Sequence, residues 1–321
     1  FEHWAKSKKI FKPLTYPAVE IFDNRGHRLL TGYIINHTFK SNTNANEIAV
    51  SGYSKTGILD DCPDVSNSLS DSEGLSTCYQ ELSLKQLAEN LVKPFGIEVI
   101  VDDLVKEKMD EPYEQSTTDQ SESIASYLAK LSTLKNVVMR STPEGRLRFT
   151  QIDPDLKPVA KFSTGDGVVN EISLQVNGQA MHSEISIMGA ATLYEDDPED
   201  QEKTGELQSI TNPLVGLYRP MVKKQGTETG AIKEVTKAAL ADELKNITIQ
   251  IECRGWKIID ENILAPGDMI SVKSPDVYLY DWTTLLVRSV QLKENAQGKT
   301  SSLTCVLPET MTGEQPKLIF G

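Results

Sequence analysis

The chain has 321 residues, 39% of them hydrophobic and 25% charged, with a formal net charge of -13 and a pI near 4.9, which gives room for about two or three domains of ordinary globular composition. The acidic balance works against stable binding of nucleic acid or an anionic membrane, because such binders gain affinity by replacing counterions with Lys and Arg. No run approaches the roughly 18 apolar residues a bilayer-spanning helix requires, so no membrane insertion is expected, and the opening FEHWAKSKKIFKPL has no signal-peptide h-region, although it also lacks an initiator Met.

The first elements read as antiparallel β. AVEIF and LLTGYIINHTF flank the turn DNRGHR, and EIAVSGY follows KSNTNAN; strand runs punctuated by Asn, Asp and Gly are hairpin signals. The next stretch, VSGYSKTGILDDC, carries glycines, a hydroxyl and a lysine in the manner of a phosphate loop or a nucleophile elbow. The spacing fits neither. A phosphate loop needs Lys-Ser/Thr directly after its last glycine, whereas Lys55 and Thr56 precede Gly57. An elbow needs G-x-S-x-G, and Gly52, Ser54 and Gly57 leave one residue too many. A strand ending in a Gly-rich exit turn is expected, with no amphipathic helix after it.

The period then changes. Ser83 caps a predicted helix whose Leu84, Leu87, Ala88, Leu91 and Val92 share one face, and Pro94 with Gly96 stop it before the strand IEVIV. A second helix, starting near Asp119 or Ser121, places Ile124, Leu128 and Leu131 on one stripe and leads into the hairpin NVVMRSTPEGRLRFTQ, turning at Pro143 to Gly145. From Val159 the period returns to two. Ile172, Leu174 and Val176 alternate with Glu171, Ser173 and Gln175; Ile247, Ile249, Ile251 and Cys253 alternate with Thr248, Gln250, Glu252 and Arg254. Such strands have one packed and one wet face. Between these runs lies the acidic tract Tyr194 to Glu206, too polar to be buried, then a helix near Gly230 to Leu244 carrying Ile232, Val235, Ala239 and Leu240. APGDMISV, TTLLVRSVQLKEN and SSLTCVL form a closing meander. Slid without gaps over the first, it sets Leu292 to Asn295 on Phe39 to Asn42 and Leu303 on Val50.

The expected class is therefore α+β, mostly antiparallel β: two barrel-like β-domains flanking a small α/β insert. The divisions are 1–60, open to completion by later strands; 61–158, the insert; and 159–321.

No catalytic, cofactor-binding or metal residue emerges. His3, His27, His37 and His182 are scattered without metal-ligand spacing. Ser132 and Lys135 form S-x-x-K, and K-T-G occurs at Lys55 and Lys203, features shared with penicillin-recognising serine enzymes. The S-D-N element is missing and the order is wrong. Asp60-Asp61 and Asp102-Asp103 read as turn and strand-end residues, and no carboxylate pair stands out for glycoside hydrolysis. Trp4, Tyr16, Trp256 and Trp282 read as packed aromatics or sugar platforms. Cys62, Cys78, Cys253 and Cys305 show no C-x-x-C pairing, and idle thiols fit better than a disulfide frame, with Cys62 and Cys78 the one plausible pair.

The succession LLTGYI, VSGYSKTGILDDC, LSLKQLAENLVKPFGI, SIASYLAKLSTLKNVVMRSTPEGRLRFTQ, YRPMVKK and LAPGDMISVKSP…TTLLVRSVQL, running from Leu29 to Leu307, resembles the baseplate hub proteins of Mu-like contractile phage tails, the late-control-D group. That group is similar to the central hub of T4-type tails and the base of type VI secretion spikes. The resemblance implies a non-enzymatic virion protein: a homotrimeric ring between tail tube and spike, its partners being itself, tube and spike proteins, with DNA only in transit. It also implies assembly in the host cytoplasm and a lumen suited by acidic character. Two other readings stay open: a serine hydrolase built on Ser54 or Ser132, or a cell-wall hydrolase fused to the hub; and a monomeric carbohydrate-binding or adhesin module using Trp256, Trp282 or nearby tyrosines.

Overall fold

The computed structural model describes residues 10–43, 46–64, 78–119, 122–153, 156–189, 207–224, 232–256 and 263–320. His3, Trp4, Ser121, the acidic tract 194–206 with Lys203, and Gly230 lie outside the described residues. The chain divides into two compact units, Phe1–Gln151 and Ile152–Gly321. The α+β, mostly antiparallel class holds.

The first unit opens with the antiparallel meander β1 (Ala18–Phe22), β2 (Arg28–Ser41) and β3 (Asn46–Ser54). Its first turn is built on Asp23, whose Oδ1 accepts from the backbone N–H groups of Arg25 and His27, each at 2.8 Å. Ile35 forms a bulge in β2: Ile34 pairs with Gly52, yet Asn36 pairs with Ser51. The extra residue switches the parity of β2 in midstrand. It keeps Leu30, Ile34 and, beyond the bulge, Phe39 on the same face as Val50 and Ile48 of β3.

The chain does not leave β3 through a plain exit turn. A 3-10 turn (Lys55–Gly57) passes directly into one turn of α-helix, α1 (Ile58–Asp61). The reason is Leu59, 1% exposed, which anchors this turn in the core of the insert.

The insert follows as β4 (Cys78–Ser83), α2 (Leu84–Val92), β5 (Val99–Val101), α3 (Lys106–Asp110), β6 (Pro112–Thr117), α4 (Ile124–Leu134), β7 (Val138–Ser141) and β8 (Leu147–Thr150). β4 pairs with β6; β8 lies between β5, parallel, and β7, antiparallel. Ser83 and Gln86 close a reciprocal capping box on α2, and Gly96 ends the helical run in the left-handed region at φ 62°. The α4 helix starts later than its pattern predicts because Ser123 is the cap, its Oγ accepting from the Ser126 N–H at 3.2 Å. The helical stripes meet as expected: Leu84, Leu87, Ala88 and Leu91 pack with Tyr127, Leu128 and Phe149 in one core. Each such Leu or Phe burial contributes about 1.5–3 kcal/mol. The strands β4 and β6 and the short α3 carry no clear period and were legible only in three dimensions.

The second unit contains β9 (Ala160–Ser163), β10 (Val169–Val176), β11 (Glu184–Met188), β12 (Leu207–Thr211), β13 (Pro220–Lys224), α5 (Ile232–Leu244), β14 (Ile247–Arg254), β15 (Met269–Ser274), β16 (Leu279–Asn295), β17 (Gly298–Val306) and α6 (Glu309–Thr312). Six strands form one sheet in the order β10-β14-β17-β16-β15-β9, antiparallel except where β9 joins β15. A smaller sheet, β12-β11-β13, contributes Ile185 and Ile187 to the same core, and α5 contributes Leu240 and Leu244. The alternation of Ile247, Ile249, Ile251 and Cys253 is met in full, all four side chains being buried.

Candidate assembly surfaces

The residues that suggested pocket chemistry have structural occupations. The Ser54 hydroxyl bonds the Thr56 hydroxyl at 3.1 Å, with no imidazole in the exchange. Lys55 donates to the Gly96 carbonyl, and its stem lies against Gly145, where an added Cβ would come within 2.8 Å of the Lys55 Cβ. This stretch therefore ties β3 to two turns of the insert. Tyr53 packs on Gly57. Burial, and then the hydrogen bond to Asp61, push its phenol up to about 12, so it stays a donor.

The S-x-x-K pair also comes apart. Ser132 is buried and donates back to the Leu128 carbonyl at 2.6 Å. Lys135 turns to the Glu111 carbonyl, 2.6 Å, and lies 4.6 Å above the Tyr113 ring. Their side chains thus turn to different partners, and what joins the two residues is the Lys135 backbone N–H donating to the Ser132 carbonyl at 3.2 Å.

The three described histidines also have neighbours of their own. His27 Nδ1 lies 3.1 Å from Asp23, His37 stacks on Phe39 with centroids 6.0 Å apart, and His182 binds Glu243 through both its backbone N–H, 2.8 Å, and its Nδ1, 2.7 Å. Glu243 is largely buried, so this pair fastens the entry of β11 to α5. Among the described residues no group of His, Cys, Asp and Glu is arranged to hold a metal ion. The four cysteines are free. One face of each described tryptophan is taken by an ammonium group, Lys299 at 4.2 Å over Trp256 and Lys161 at 5.4 Å over Trp282, and the Trp256 N–H donates to the Lys293 carbonyl. That is the geometry of packed surface aromatics more than of open sugar platforms. Asp102 is a strand-end anchor: burial raises its carboxyl, but the Arg148 guanidinium at 2.8 Å and Thr150 outweigh that and hold it below the usual range.

What remains conspicuous is the meander of the first unit. One face carries Ile21, Leu30, Phe39, Ile48 and Val50, and Ile21, Val50 and Phe39 are 46%, 42% and 41% exposed. The opposite face of its outer half is polar, with Asn36 bonded to Ser51 and Lys40 paired with Glu47. A second exposed apolar group lies on β12 and β13 and the loop before β13, at Leu207, Leu217, Tyr218 and Val222. The alternation in β3 was a signal for the first face; the bulge at Ile35, which makes that face continuous, left no trace in the sequence.

Residues 56–151 match the family model of the gp44-like baseplate hub protein, second domain. Over 294 residues, 88% of this chain and 73% of the relative, the sequence is 24% identical to the baseplate hub protein gp44 of Escherichia phage Mu. The chain is similar to the Mu baseplate hub over most of its length, and its residues 56–151 carry the match to the second hub domain. The fold agrees. The 43 kDa tail protein of prophage MuSo2 from Shewanella oneidensis superposes with a TM-score of 0.77 at 22% identity, covering 94% of this chain and 86% of that one. A tail protein of Neisseria meningitidis MC58 gives 0.75 at 17% identity, covering 94% and 87%. The stretch Val50 to Cys62 thus spans the passage from the first meander into the residues that match the gp44-like second domain.

Proposed function

We propose that this protein is a structural, non-catalytic part of a phage tail baseplate, in which three copies close into a ring between tail tube and spike around a channel that passes DNA. The observation that carries the reading is the meander face bearing Ile21, Phe39 and Val50, apolar and open to solvent on the isolated chain. A contiguous exposed apolar face on a β-sheet marks a contact surface. A ring requires a heterologous contact whose rotation closes, and two β-rich regions per subunit give three copies six β-surfaces to offer a sixfold tube. In this reading the three-part division 1–60, 61–158 and 159–321 is functional, with the first and last parts each offering a β-surface to the tube. The protein acts in the virion after assembly in the bacterial cytoplasm.

Light scattering of the purified protein tests this. A threefold mass is expected, falling to a single subunit in Ile21→Asp, Val50→Asp. A single subunit at every concentration, alone and with tube and spike proteins added, would overturn the ring. Ester or peptidoglycan turnover abolished by Ser54→Ala or Ser132→Ala would favour the hydrolase instead.

A further inference from the structure

The second unit carries a pocket and a protrusion that cannot meet within one chain. A cavity of about 310 Å³ opens where β10 ends and β14 begins, lined by Val176, Ile247, Leu214, Val215, Leu217 and Phe320. An apolar cavity of roughly 150 Å³ already holds a benzene ring, so an aromatic side chain has room here. The mouth is open to solvent, with Leu217 68% and Val176 46% exposed. Arg219 also lines it, its guanidinium donating to the Gly178 carbonyl at 2.6 Å and the Gln179 carbonyl at 3.1 Å; among the described residues no carboxylate lines it.

The protrusion is the connection of β15 to β16, a 3-10 turn at Pro275–Val277 followed by Tyr278. Leu279 is anchored in the core, while Tyr278 and Tyr280 on either side of it are 61% and 45% exposed, their rings edge to face with centroids 6.4 Å apart. Tyr278 stands in the left-handed region at φ 63°, which a bulky residue adopts at a cost. Within residues 275–281 the charged groups are Asp276 and Asp281, both exposed.

Ser274, at the base of the protrusion, meets the Thr164 hydroxyl at 2.6 Å. Two turns, Asp166 N–H to the Ser163 carbonyl and Val169 N–H to the Asp166 carbonyl, lead from there into the start of β10. The pocket lies at the other end of that strand, about 24 Å of extended chain away. A tyrosine tip and an open apolar pocket both gain by leaving water, and aromatic anchors seated in pockets carry much of the energy of protein contacts. The acidic tip also matches Arg219 in sign. Two unlike surfaces at opposite ends of one unit make a heterologous contact, the kind whose rotation can close.

We propose that this pocket takes up the Tyr278–Tyr280 tip of a second copy of the chain, joining copies head to tail. The inference rests on the ring reading above and gives it a contact separate from the meander face.

Two experiments separate its failure from that of the ring. In a Cys62→Ser, Cys78→Ser background, which leaves only buried thiols, copies carrying Leu217→Cys are co-expressed with copies carrying Asp281→Cys and mildly oxidised. A disulfide-linked product of two chains is expected from the pair and from neither variant alone. No product at threefold mass overturns the pocket contact and leaves the ring standing; no product at single-subunit mass overturns both. A product from either variant alone overturns the head-to-tail arrangement. Gly216→Phe, whose Cβ meets open space at the pocket mouth, should block the pocket, and Tyr278→Asn, Tyr280→Thr should remove the tip at a backbone that asparagine tolerates. With circular dichroism matching the parent protein, each is expected to raise the concentration at which threefold mass forms by more than about tenfold. An unchanged concentration overturns the contact, and a fall in tail-particle yield alongside it would assign the pocket to another tail protein.

Discussion

Gly32 and Gly52 stand diagonally across β2 and β3, and each occupies space that the other strand's backbone has taken: a Cβ on Gly32 would lie 1.9 Å from the Tyr53 carbonyl oxygen, and one on Gly52 would lie 1.9 Å from that of Tyr33. Gly52 pairs with Ile34 at the edge of the bulge at Ile35, and Gly32 lies three residues before it; at both positions the approach of the other strand's backbone leaves room only for a residue without a side chain. Gly52→Ala is expected to cost about 2 kcal/mol or more. The urea midpoint of the first unit and earlier proteolytic cleavage within residues 18–54 would report it; an unchanged midpoint would contradict the close approach.

The Asp23 turn is sensitive to acid. Burial alone would raise the Asp23 carboxyl, but the backbone N–H groups of His27 and Arg25 and the His27 ring together lower it from 3.8 to about 2. A carboxylate whose pKa is lowered on folding contributes stability above its unfolded value, and that contribution drains away as pH falls through the folded one. The β1–β2 turn should therefore loosen between about pH 4 and pH 2. Amide exchange at Arg25 and His27 is the readout, and Asp23→Asn should show faster exchange already at pH 7, with little change on acidification.

Lys55 gives a test of the motif that looked catalytic. Lys55→Met keeps the stem against Gly145 and loses the bond to the Gly96 carbonyl, for an expected cost of about 1 kcal/mol. Gly145→Ala should cost more, because it adds both the 2.8 Å contact with Lys55 and a side chain at φ 78°. Thermal unfolding of the two variants ranks them; the reverse order would show that Lys55 acts through something other than this contact.

Thiol chemistry should divide along the fold. Burial pushes the Cys253 thiol up to about 11, and burial together with the neighbouring Cys253 pushes Cys305 up to about 12. Both are fully buried, whereas Cys78 is exposed and Cys62 half-buried. At pH 8 an aromatic disulfide reagent is expected to modify Cys78 quickly, Cys62 more slowly, and Cys253 and Cys305 only in denaturant. Mass mapping of native protein that finds Cys253 modified would refute this packing.

Local chemistry made several elements legible in advance. Ser83 with Gln86, Pro94 and Gly96 delimit α2; the Pro143 to Gly145 turn sets the β7–β8 hairpin; and the alternation from Ile247 to Arg254 separates core from surface on β14. These signals involve residues within one or two turns of each other, where sterics and capping act directly. The bulge at Ile35, the parallel pairings of β5 with β8, β9 with β15 and β11 with β13, and the helical turn carrying Leu59 depend on partners far along the chain. A one-residue register choice inverts every face of a strand, and no local spacing states which choice is made.

Sequence by itself determined the alternation that sorts Ile249 from Gln250, the helix caps, and the succession of segments that resembles a tail hub, because each is written in neighbouring residues. Tertiary structure alone decided that Ser173, Gln250, Thr304 and Ser289 form one row, that Ile21, Phe39 and Val50 share an open face, and that Lys55 serves two glycine turns. Surfaces are made by strands and turns brought together from distant positions, and the energy that aligns them is the burial of the opposite face, summed over the whole unit.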